Sequence, residues 1–189
     1  MLNNIELATL ANTLQVPLIV SDVLDAKDSM TDDVKYGLHE AISDFQPDSA
    51  LLAIALGAIK ISTIYKSASP SMDVLGLEAE RIIKEYGPIW LQNAKQQEVN
   101  AEDVFELLVH TAEDLENMAE LLDLNCSFLR AKDPKAASLC DILYIQAHSH
   151  TLIAEEFINI ATTENANTAP TITATSGFTN NVVQFPAGR

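Results

Sequence analysis

The sequence predicts an all-α protein, an antiparallel bundle of five to six helices followed by a disordered C-terminal tail. Three observations carry this expectation. Hydrophobic residues make up 48% of the chain, dominated by Leu, Ile and Ala, while aromatics make up 6%; Leu and Ala lose little rotamer freedom in a helix. Six glycines and seven prolines in 189 residues are too few for a turn-rich β fold. Apolar residues also recur at steps of three and four along most of the chain, which is the period of a helix with one buried face. The length suits one compact domain.

Residues 1–30 read as short N-terminal helices or an arm. Ile5, Leu7, Leu10 and Leu14 fall roughly on one side of a short helix, which Pro17 interrupts. The stretch from Val16 to Leu24 is β-branched and without an obvious strand partner, so it reads as a second short helix or an extended segment. The bundle is expected over 31–162. Thr31 is a good N-cap, with Asp32 and Asp33 in the first turn, where the helix dipole favours carboxylates. Val34, Leu38, Ala41, Ile42 and Phe45 continue the pattern to Pro47.

The next helix, with Asp48 or Ser49 as cap, carries the most apolar run of the chain, from Ala50 to Ile59, and extends to about Ser67. Closed by Lys60, that run is far shorter than the ~20 residues that cross a bilayer, so a buried helix is expected. Another helix runs from about Met72 to Tyr86, where Gly87-Pro88 must kink or break it.

Two long helices then follow. Asn100 caps the first, whose seam is Val104, Leu108, Thr111, Leu115, Met118 and Leu122, stepping four and three like a heptad repeat. Asp133 caps the second, with Pro134 in the first position, where proline is best tolerated. Its seam is Ala136, Cys140, Leu143, Ala147, His150, Ala154, Phe157 and Ala161. Two such helices joined by a short loop pack antiparallel, although periodicity alone leaves open whether a homodimer fills either seam. From 163 to 189 the chain is Thr-, Asn- and Ala-rich and reads as a disordered tail.

The formal net charge is −16, from 27 acids and 11 bases. A surface of that sign repels phosphate, so direct binding to nucleic acid or to an anionic membrane is not expected. Two cysteines make no disulfide framework, and the N-terminus lacks a basic segment preceding an apolar one. A reducing, cytoplasmic location is the expectation.

The back of the Asn100 helix is a row of acids: Glu102, Glu106, Glu113, Glu116, Glu120 and Asp123. No Lys or Arg stands between Lys95 and Arg130. This row is the candidate partner-binding surface. Within it, Glu106, His110 and Glu113 sit at i, i+4 and i+7, a spacing able to hold a divalent cation. His150, on the apolar seam near His148, is a further candidate metal ligand, or else a core histidine satisfied by Thr111 or a backbone carbonyl. No Glu-x-x-His pair, phosphate-binding glycine loop, Gly-x-Ser-x-Gly or Cys-x-x-Cys occurs. No cofactor is expected beyond such a cation.

Glu113-x-x-Glu116 and Glu120-x-x-Asp123, with the surroundings of Asp141, resemble the paired carboxylates of all-α, Mg²⁺-dependent nucleotide pyrophosphohydrolases of the MazG type. That resemblance covers about 30 residues and implies metal-dependent hydrolysis by carboxylates on two helices. Here both pairs lie on one helix, and the residue three before Asp141 is Ser138.

The sequence therefore favours a small acidic interaction or accessory protein that binds another protein, a basic one being the electrostatic complement. The alternatives are the divalent-metal-dependent hydrolase and an acidic mimic of DNA.

Overall fold

The computed structural model describes residues 2–26, 31–93 and 101–165. Its elements are α1 (Asn4–Leu14), α2 (Val16–Asp25), α3 (Asp32–Ser43), α4 (Pro47–Ile64), α5 (Pro70–Asn93), α6 (Ala101–Leu129) and α7 (Pro134–Asn165). The all-α expectation holds, and among the described residues there are seven helices where five or six were expected. The added helix arises at Gln15, whose left-handed backbone (φ 57°) ends α1, while Pro17 sets the first turn of α2.

α1 begins with a reciprocal cap. The Asn3 side chain accepts from the Ile5 and Glu6 N–H groups, and the Glu6 carboxylate accepts from the Asn3 N–H at 2.9 Å. Both N-terminal helices belong to the core, contributing Leu10, Leu14, Val16, Val20 and Val23. Thr31 caps α3 as expected.

α4 is the central element. From Ala50 to Ala58 every residue is buried. By length and composition it could cross a membrane, but two thirds of it is covered by the rest of the chain. Its start differs from expectation: Gln46 is the N-cap and Pro47 opens the helix, so Asp48 lies in the first turn instead of capping it. α5 runs back along α4. At their crossing a Cβ on Gly76 would lie 2.9 Å from Ser62 Oγ, so any larger residue there requires the Ser62 side chain to shift.

The expected break at Gly87-Pro88 does not end α5, which continues to Asn93. An interior proline costs about 3 kcal/mol. Tyr86 and Trp90, on either side of it, are buried at 2% and 6% exposure and hold both halves against the core.

α6 and α7 form the most extensive helix pair. Both expected seams face inward. Leu115, Met118 and Leu122 on α6, and Ala136, Cys140, Leu143 and Ala147 on α7, have no exposed surface. They are therefore filled within one chain. The expected cap Asn100 lies outside the described residues, whereas Asp133 caps α7 as expected. Its carboxylate accepts from the N–H groups of Lys135 (2.9 Å) and Ala136 (3.3 Å). Against the upward push of burial, the Tyr65 hydroxyl and these two N–H groups hold the Asp133 carboxyl below its ordinary value. Lys135 reaches the other way, donating its ammonium to the carbonyls of Val23, Leu24 and Ala26 at the end of α2. α7 runs to Asn165, a turn beyond the expected end. The rest of the expected tail, residues 166–189, lies outside the described residues.

Candidate functional site

α6 has one face on the bundle and one in water. Thr111, Leu115, Met118, Leu122 and Cys126 point inward, which forces the residues between them outward. Glu106, Glu113, Glu116, Glu120 and Asp123 are all exposed. They form a single-signed row about 26 Å long at 1.5 Å per residue. Glu102 is in the first turn of α6, and its side chain lies outside the described residues.

His110 sits within this row. Its Nε2 is 3.8 Å from Glu106 and its Nδ1 3.7 Å from Glu113, with all three side chains more than half exposed. These are long, water-screened contacts that become ion pairs only when the imidazole is protonated.

The other candidate histidine is elsewhere. His150 is buried between α7 and α3, and its Nε2 is 3.2 Å from the Ile42 carbonyl. A carbonyl only accepts, so Nε2 carries the proton. Nδ1 is then a bare acceptor, and it has no partner among the described residues. Burial pushes the His150 pKa below its ordinary value, partly offset by the Ile42 hydrogen bond. Beside it the Gln146 amide donates to His39 Nδ1 at 2.9 Å. The structure thus brings Glu106, His110 and Glu113 together on the surface and places His150 in the core. Among the described residues no three or more His, Cys, Asp or Glu side chains are grouped to hold a metal ion.

Of the carboxylates in the two-helix resemblance, Glu113, Glu116, Glu120 and Asp123 lie along the open side of α6. Asp141, on α7, is committed otherwise. It accepts from Cys126 Sγ at 2.7 Å and from Arg130 at 3.4 Å. Burial and then Asp141 push the Cys126 thiol up to about 11, and burial raises Cys140 as well.

One polar cluster was not foreseen. Arg81 on α5 donates to Glu78 (2.8 Å), to Glu85 (2.6 Å) and to Asp114 on α6. The Tyr86 hydroxyl donates to the other oxygen of Asp114 at 2.8 Å. Burial first, and then Asp114, raises the Tyr86 pKa, while neighbouring Thr111 lowers it. The readable signal was Glu78, Arg81 and Glu85 at steps of three and four, the helical ion-pair spacing. Asp114 is a lone acid among buried residues and needs a partner from another helix.

No protein-family model, curated protein or solved structure matches this chain.

Proposed function

We propose that this chain is an accessory protein that docks a basic partner protein along the outer face of α6. One observation carries the reading: five exposed acids from Glu106 to Asp123, with no Lys or Arg anywhere on α6. A row of one sign without Lys or Arg partners on its own helix raises the local concentration of a cationic partner and orients it. A single row on one helix suits a protein segment better than the broad array of acids that imitates a DNA surface.

The test is titration of poly-L-lysine into the protein, read by calorimetry over a range of salt. The wild-type chain should bind with an affinity that falls as salt rises. The triple variant Glu113→Gln, Glu116→Gln, Glu120→Gln should bind at least about tenfold more weakly while keeping its helical spectrum, because rim charges act chiefly on encounter and salt dependence. Equal affinity for the two proteins would remove the reading.

A further inference from the structure

α3 is lightly seated. Of its side chains only Leu38 and Ile42 are buried, with Val34 and Ala41 partly covered, whereas α4 buries twelve of its residues. A segment with few buried apolar contacts can open locally while the rest of a fold stays closed. Beyond these apolar contacts α3 is tied to α7 by three hydrogen bonds, and each involves a histidine. The Gln146 amide donates to His39 Nδ1 at 2.9 Å and reaches the His39 carbonyl at 3.4 Å. His150 Nε2 donates to the Ile42 carbonyl. Among the described residues α3 makes no other hydrogen bond to another helix.

Both ties suit neutral imidazoles alone. A proton on His39 Nδ1 turns an acceptor into a donor facing the Gln146 amide N–H. Rotating that amide would offer its oxygen to Nδ1, but would then set the same oxygen against the His39 carbonyl. One of the two contacts is lost either way. A proton on His150 Nδ1 puts a charge in the core, where no acceptor stands among the described residues.

No ion pair offsets these charges. Among the described residues the acids paired with a histidine are those of His110. On the elements packed against α3 and His150, Asp22 and Asp25 of α2, Lys60 of α4 and Glu155 and Glu156 of α7 are exposed, as is Glu40 of α3 itself. Asp48 of α4 accepts from Ser49, and Asp114 of α6 is held by Tyr86 and Arg81.

We propose that His39 and His150 form an acid-released latch: protonation of the two imidazoles frees α3 from α7 and uncovers Leu38 and Ile42, while α4 to α7 stay assembled. Histidine is the side chain whose charge ordinarily changes between pH 5 and 8, so mild acid is the signal. The latch is independent of the acidic face of α6.

Hydrogen exchange read by mass spectrometry on the full chain, corrected for the intrinsic effect of pH, tests it. In the open state His150 takes up its proton near the ordinary 6.5, so at pH 5.5 it alone favours opening by about tenfold. Protection of residues 32–43 should therefore fall by at least about tenfold between pH 7.5 and pH 5.5, while residues 50–58 of α4 keep theirs. The loss should set in near pH 6.5. The double variant His39→Gln, His150→Gln should show no such loss in α3. Should that variant fail to fold, the onset in the wild type decides, because carboxylates would place it near pH 4. Unchanged protection of α3, an equal loss in α4, an onset near pH 4, or a loss that persists in the double variant would each overturn the latch.

Discussion

The Tyr86 hydroxyl and the Asp114 carboxylate meet at 2.8 Å across the interface of α5 and α6, and both side chains are buried. Arg81 reaches the same carboxylate from the solvent side, with 42% of its side chain exposed. The inner contact should therefore matter more than the outer one. Tyr86→Phe leaves a buried carboxylate one donor short and should cost about 1–3 kcal/mol. Arg81→Ala removes a half-exposed, water-screened charge and should cost about 1 kcal/mol or less. Urea titration of both variants checks the order, and a larger loss in Arg81→Ala would reverse this account of the cluster.

The facing of α6 makes a sharper contrast between adjacent residues. Leu115 has no exposed surface, and Glu116 is exposed. Leu115→Asp places an unpaired charge in the core and should cost more than about 4 kcal/mol, enough to unfold many domains. Glu116→Lys should stay within about 0.5 kcal/mol of the wild type. Circular dichroism during thermal melting reads both, and similar melting of the two would mean the helix is rotated from the orientation described.

His150 gives stability a dependence on pH. The folded state depresses its pKa below the ordinary 6.5. As pH falls below about 6.5 the unfolded chain takes up a proton that the folded chain resists, so stability falls with acid until the lower folded value is passed. Protonation also gives Nδ1 an N–H with no acceptor among the described residues. His150→Gln should flatten this part of the profile relative to the wild type between pH 7.5 and pH 5. Parallel profiles would place the acid sensitivity in other groups.

The two thiols should be slow to react in the folded protein. Cys126 and Cys140 are both buried free thiols with raised pKa values, so almost no thiolate exists near neutrality. Iodoacetamide at pH 8 should label neither until urea unfolds the chain. Asp141→Asn removes a charge that holds the Cys126 thiol protonated, and should speed labelling of that cysteine selectively. No change would mean that burial alone protects it.

Much of this architecture was legible because it depends on local periodicity. The seams of α6 and α7, the caps Thr31 and Asp133, and the outward row of acids all follow from spacing along one helix. What was not legible depends on contacts between helices. Gly87-Pro88 reads as a break, and only the burial of Tyr86 and Trp90 shows why α5 continues through it. His150 reads as a core histidine or, less readily, a metal ligand, and only Ile42, more than 100 positions away, shows which carbonyl its imidazole meets. The Arg81 cluster needed Asp114 from the next helix, a pairing that no single-helix pattern reveals.

The bond from Lys135 to the last carbonyls of α2 spans 109 to 112 residues of sequence. At about 5–20 residues per second of synthesis, the first two helices leave the ribosome roughly 5–20 s before the residue that clasps them exists. During that interval α2, with its buried Val16, Val20 and Val23, lacks the packing it finally makes with α7. The order of translation thus leaves the apolar N-terminal segment waiting on the last helix, and nascent-chain pulse proteolysis should find it open to cleavage until α7 has emerged.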